Sequence, residues 1–150
     1  PLHDERMKER PIYYEEFFAY VSPHERFLYS KTSLEETDLK GAKLWLLDEV
    51  HCFRTQILNI CNLKSKNALQ SVDNNNGITV IPEMALSHLT ENQKKNVRFF
   101  KDNKPVREIS LITRKDFLRE RLIEIIEEEI KMSVPVSLQD QSLQKNIVAI

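Results

Sequence analysis

Glycine is scarce in this sequence: the 150 residues contain two glycines, Gly41 and Gly77. Loops that hold phosphate groups through closely spaced glycines, such as G-x-G-x-x-G or G-x-x-x-x-G-K, cannot be built from them. Nucleotide-dependent chemistry that relies on such loops is therefore excluded.

Cysteine, net charge and long apolar runs are also low or missing. Two cysteines are too few for a disulfide scaffold, which favours a reducing cytoplasm.

The 22 basic and 23 acidic residues leave a net charge of -1, which argues against nucleic-acid binding by this chain alone. No apolar run approaches the roughly 20 residues that cross a bilayer, and Pro1 opens no signal peptide, so we expect no membrane partner. The four histidines are scattered without ligand spacing, so we expect no metal and no cofactor.

The residues that are present predict one globular α/β domain. Hydrophobic residues make up 41% of the chain, which is ordinary for such a domain. Residues 1–10 lack periodicity and predict a loop, and strands are predicted over 12–22, 43–47, 78–81 and 106–113. Helices are predicted over 50–63 and from Pro82 to about 89. A third helix is predicted from a capping box formed by Thr113 and Asp116 to about residue 132. Its apolar face would carry Leu118, Leu122, Ile125 and Ile126. This alternation predicts a parallel or mixed sheet.

The densest polar cluster follows the predicted strand 43–47. Its members are Asp48, Glu49, His51, Cys52 and Arg54, with Cys61 further on. A helix N-terminus carries unpaired N–H groups and a partial positive charge, so it favours the thiolate of a cysteine in its first turn, as do a neighbouring His and Arg. The two acidic residues oppose that shift, and the balance stays open.

The spacing of Cys52 and Cys61 predicts a conformational change if they ever bond. They are nine residues apart; on an unbroken helix this means about 13.5 Å of rise and about 900° of rotation. A disulfide needs Cα atoms within about 7 Å, so the helix would have to unravel. The alternative is that both are inert core thiols, with Cys61 on an apolar face beside Phe53 and Ile57; composition and spacing by themselves favour it.

Residues 46–56, with the letters L-L-D-E-V-H-C-F-R-T-Q and Cys61 after them, resemble the OxyR family, the peroxide-sensing branch of the LysR-type transcription regulators. Supporting matches lie at 11–14, 18–21, 76–82 and 109–113, and the likeness covers about 1–132. It implies a regulatory (effector) domain similar to type II periplasmic binding proteins, with two subdomains joined by crossover strands. Residues 12–108 would be most of the second subdomain, 109–132 would return to an incomplete first one, and 133–150 would be a tail.

The resemblance also implies roles and partners. Cys52 would be the cysteine that peroxide attacks, Cys61 the one that resolves it as a disulfide, and His51 and Arg54 the thiolate's surroundings. The implied partners are hydrogen peroxide, thiol reductants, RNA polymerase, a second or further copies in a homodimer or homotetramer, and DNA through a helix-turn-helix domain that these 150 residues do not contain. Such a protein is a sensor and not an enzyme.

Two departures from the family pattern accompany this resemblance. Val50 stands where the family usually has Gly, and about a dozen residues are missing between Gln70 and Ser71. Two other functions stay open. One is a LysR-type effector domain that binds a small organic ligand and has incidental cysteines, and the other is a thiol peroxidase that turns over.

Overall fold

The structure is a computed structural model that describes residues 4–39, 42–45, 52–60, 77–101, 104–140, 142 and 146–148. The elements in chain order are β1 (Met7–Val21), α1 (Arg26–Tyr29), β2 (Ser33–Leu34), α2 (Cys52–Ile60), β3 (Ile78–Pro82), α3 (Glu91–Lys94), β4 (Val97–Phe100), β5 (Val106–Arg114) and α4 (Glu120–Ser133). Single 3-10 helices cover Glu36–Leu39, Glu83–His88 and Val136–Gln139. None of the helices in the described ranges is long and apolar enough to cross a membrane.

The chain divides into two compact units. One consists of Pro1–Glu15 with Val106–Ile147, and the other of Glu16–Pro105 with Val148–Ile150. We refer to them as the 106–147 unit and the 16–105 unit. Strand β1 contributes its first half to one unit and its second half to the other.

The 16–105 unit is built on a mixed sheet with the strand order β2-β4-β1-β3. Strand β1 is antiparallel to β3, from Phe17 opposite Pro82 to Val21 opposite Ile78, and antiparallel to β4. Strand β2 is parallel to β4. Leu44 forms a further parallel bridge with Ile78. The mixed sheet predicted from the alternation of strands and helices is confirmed.

The core of the 16–105 unit follows the two-residue period of its strands. Phe17, Ala19 and Val21 point to one face of β1 and are at most 2% exposed. Full burial of a side chain such as Val, Leu, Ile or Phe stabilises the fold by about 1.5–3 kcal/mol. The buried cluster comprises Phe17, Ala19, Val21, Leu28, Leu34, Leu39, Leu44, Ile57, Ile78, Val80 and Phe100. Helix α2 is thus attached to this core through Ile57.

Strand β1 is longer than its sequence pattern predicts. Residues 7–10, expected as part of a loop, are its first residues. Three of these four residues are charged and the segment lacks alternation, but ion pairs hold it: Lys8 Nζ lies 3.0 Å from a carboxylate oxygen of Glu120, and Arg10 Nη1 lies 3.4 Å from one of Glu127. Tertiary pairing overrides the weak local signal here.

The start of helix α4 also differs from the prediction, and the Thr113–Asp116 capping box is wrong. The helix begins at Glu120, and no side chain caps it. Strand β5 continues through Arg114, whose guanidinium donates two hydrogen bonds to the Asp116 carboxylate, at 2.9 and 2.6 Å. This charge-assisted, bidentate pair occupies the oxygens that a cap would need.

The apolar face predicted for helix α4 is exposed in the 106–147 unit. Leu118, predicted on this face, lies before the observed helix and is 94% exposed, whereas Leu122, Ile125 and Ile126 of α4 are between 36% and 43% exposed. Ile123, on the neighbouring side of the helix, is buried. The exposed face adjoins an open groove of about 560 Å³ lined by residues that include Ile112, Phe117 and Leu118. Helix α4 therefore packs one side of its apolar surface and leaves the other in solvent.

Candidate functional site

Helix α2 carries the predicted reactive residue. The helix expected over 50–63 is observed from Cys52 to Ile60. His51 and Cys61 lie outside the described residues, and the described part of Cys52 does not include its side chain. The roles expected of these three residues therefore stay predictions.

The described side chains of helix α2 define a buried and an exposed face. Ile57 is 1% exposed and Gln56 is 6% exposed, whereas Thr55 and Asn59 are exposed. Residues three and four positions apart are neighbours on a helix surface. Position 52 has exposed Thr55 and buried Gln56 as these neighbours, so it falls at the border between the two faces.

Arg54 lies on the buried side of helix α2. It is 6% exposed and stands one turn before Ile57. Positions 52 and 54 are about 200° apart around the helix axis, so they do not share a face. A buried guanidinium keeps its charge and requires polar partners, which makes Arg54 a fixed positive charge within the helix that begins at Cys52.

The chain approaches helix α2 from a short extended segment at the edge of the sheet. The Trp45 amide donates to the Ile78 carbonyl at 2.8 Å, and the Ile78 amide donates to the Lys43 carbonyl at 2.8 Å. The Thr79 hydroxyl donates to the Trp45 carbonyl at 3.1 Å. Of the strand predicted over 43–47, the structure shows an isolated bridge of Leu44 to Ile78 with the hydrogen bonds of Trp45 beside it, and the last two positions lie outside the described residues.

Gly77 marks the point where the chain returns to this edge. The pattern D-N-N-N-G over 73–77 predicts a turn with Gly77 at positive φ, and the observed φ of Gly77 is +141°. A Cβ atom at this position would lie 2.6 Å from the Lys43 carbonyl oxygen and 2.8 Å from the Trp45 indole nitrogen. Glycine is thus required both by its backbone angle and by the close approach of Lys43 and Trp45.

Two buried charged residues were not anticipated from the sequence. Glu15 is fully buried and accepts a hydrogen bond from Arg107 Nε at 2.5 Å, within the 106–147 unit. The pKa of Tyr13 is raised above its ordinary value, mainly because the side chain is partly buried and to a lesser extent because the negative charge of Glu15 is near. Arg98 donates through Nη1 to the carbonyls of Lys95 and Val97, at 2.7 and 2.8 Å. The sequence feature that could have indicated both residues is a charged residue within an otherwise apolar or aromatic strand.

The chain is similar in structure and in sequence to transcription regulators. Two crystal structures of OxyR from Porphyromonas gingivalis, one of a mutant and one of the reduced protein, superpose with TM-scores of 0.81 and 0.79 at 31% and 32% identity, each covering 97% of this chain and 71% of the other. The HTH-type transcriptional regulator EstR of Acinetobacter baylyi is 29% identical over 128 residues, which are 77% of this chain and 42% of EstR. The hydrogen peroxide-inducible genes activator of Haemophilus influenzae is 31% identical over 120 residues, which are 71% of this chain and 39% of that protein. No family model matches the chain.

The mixed sheet and these structural neighbours define the class: the fold is that of the regulatory domain of LysR-type regulators, related to type II periplasmic binding proteins, as predicted. Within that class, the chain belongs to the OxyR family. It spans about two fifths of the length of the two relatives matched in sequence. The relatives carry the names of transcription regulators and not of enzymes.

Proposed function

We propose that this chain is the redox-sensing part of a peroxide-responsive transcription regulator, in which peroxide oxidises Cys52 and a Cys52–Cys61 disulfide refolds the helix between them. The observation that carries this proposal is helix α2, which the structure describes over Cys52–Ile60, the span that starts at one of the two cysteines and reaches the neighbour of the other. Membership in the OxyR family and the name of the Haemophilus influenzae relative support it.

The proposed reaction has two steps. The Cys52 thiolate attacks one oxygen of hydrogen peroxide, the O–O bond breaks, and hydroxide leaves and is protonated to water, so that the sulfur becomes a sulfenic acid. The Cys61 thiol then displaces the sulfenic hydroxyl as a second water and the disulfide forms. Two thiols lose two electrons and two protons, and one peroxide becomes two waters. Thiol reductants reverse the oxidation by thiol–disulfide exchange.

The helix makes this oxidation a conformational event. Positions 52 and 60 at the ends of α2 are about 12 Å apart along the axis. A disulfide holds its Cα atoms within about 7 Å, so α2 must unwind at least in part. Unwinding removes Ile57 from the core, together with buried Arg54 and Gln56. The reduced and oxidised forms are therefore two discrete packings and not small variants of one.

The position of Cys52 supports its role as the residue that peroxide attacks. The first residue of a helix lies next to unpaired N–H groups whose partial positive charge stabilises a thiolate. We propose that His51 and Arg54 add to this stabilisation, Arg54 as a fixed charge within the same helix. The thiolate is the form that reacts with peroxide.

We also propose a domain organisation. Residues 12–108 would contain most of the second regulatory subdomain, 109–132 would return to the first, and 133–150 would be a tail. The exposed apolar face of α4 supports this, since an apolar helix face of this kind is normally covered by another layer of the same domain. The two relatives matched in sequence are more than twice as long as the matched segment, which leaves room for such a layer.

The whole protein would act through further contacts. We propose that it binds DNA through a helix-turn-helix domain outside these 150 residues, engages RNA polymerase and forms a homodimer or homotetramer. We place it in the cytoplasm, where thiol reductants reset it. It would not turn over peroxide as an enzyme, because each oxidation is a signal.

Stoichiometric peroxide followed by intact-mass measurement tests the proposal. The parent chain should lose two hydrogens, and Cys61→Ser should gain one oxygen, because a sulfenic acid forms but cannot be resolved. Cys52→Ser should show neither change and should keep its protease sensitivity around residues 50–70. If Cys52→Ser responds to peroxide like the parent, the assignment of the sensing residue is wrong.

One competing function is an effector domain that binds a small organic ligand, since the name of EstR, which matches 77% of this chain, is that of a transcriptional regulator without reference to peroxide. In that case both single cysteine variants would keep the parent's response to its effector, and peroxide at one equivalent would cause no two-hydrogen loss. A thiol peroxidase is separated by turnover: it would sustain peroxide consumption in the presence of a reductant, whereas a sensor should react stoichiometrically.

A further inference from the structure

We draw no further inference here: the strongest candidate, the exposed apolar face of helix α4 with the adjoining groove lined by Ile112, Phe117 and Leu118, is the surface that the proposed domain organisation already assigns to another layer of the same domain, and nothing among the described residues shows a different partner covering it.

Discussion

Replacing Ile57 by alanine should shift the reduction potential of the proposed Cys52–Cys61 disulfide to a more negative value. Ile57 is 1% exposed and attaches helix α2 to the core. Under the proposed mechanism, that burial exists in the reduced form and is lost when α2 unwinds. The substitution therefore destabilises the reduced form selectively and makes the disulfide harder to reduce.

The magnitude follows from the atoms removed. Ile57→Ala deletes three buried carbons, and at about 0.8 kcal/mol for each this is about 2.4 kcal/mol before any cavity term. Substitutions of this kind cost about 2–5 kcal/mol in total. For a two-electron couple 30 mV corresponds to about 1.4 kcal/mol, so the potential should move by about 50 mV or somewhat more.

A redox titration in dithiothreitol buffers, with free thiols trapped by alkylation and counted by mass, measures the potential directly. Ile123→Ala is the matched control, because Ile123 is also a buried isoleucine on a helix but belongs to α4 in the other unit. It should lower the free energy of unfolding and leave the potential unchanged. A shift of less than about 10 mV in Ile57→Ala, or an equal shift in the control, would refute the idea that α2 unwinds on oxidation.

Two further predictions concern the 106–147 unit. A hydrogen bond from Lys8 holds the pKa of Glu120 below its ordinary 4.5, so the stability this pair contributes is present above that pH and is lost as the pH falls through the lowered pKa. The protection of the α4 amides, which is the slowing of their exchange relative to unprotected amides at the same pH, should therefore fall between about pH 5 and about pH 3. Protection that stays constant over this range would contradict the pairing. Glu15→Leu should lower the free energy of unfolding by about 3–5 kcal/mol in urea denaturation, because it leaves the Arg107 guanidinium without the buried carboxylate beside it. The double variant Glu15→Leu with Arg107→Leu should recover most of that loss, and a double variant as unstable as the single one would rule out the buried charge as the cause.

Local pattern was sufficient where a segment's neighbours in sequence are also its neighbours in space. The alternation over 106–113 predicted strand β5, observed as Val106–Arg114, and the helical period over 50–63 predicted α2. The turn pattern before Gly77 predicted its positive φ. The H-C-x-R-x-Q pattern with a second cysteine likewise pointed to the OxyR family, because that identity resides in a short contiguous motif.

Local pattern failed where two partners compete for the same group, or where burial depends on the rest of the fold. The capping box expected at Thr113 and Asp116 is locally sound, but the Asp116 carboxylate binds the guanidinium of nearby Arg114 instead. The apolar stripe of α4 was visible in the sequence, but periodicity shows only that a face is apolar and not whether anything covers it. Glu15 stands out in the sequence as a charged residue within an aromatic strand, but its burial beside Arg107 does not follow from that, since a charged residue in a strand is usually on the solvent side.

The sequence by itself determined the elements and the family, because periodicity, turn chemistry and a contiguous motif are properties of consecutive residues. Only the tertiary structure decided that residues 7–10 extend β1, that the apolar face of α4 is exposed, and that Lys43 and Trp45 closely approach Gly77. Each of these depends on partners far along the chain, such as Lys8 with Glu120 or Lys43 with Ile78. Contacts between residues so far apart form only when the whole core assembles. The periodicity of neighbouring residues in the sequence therefore does not predict them.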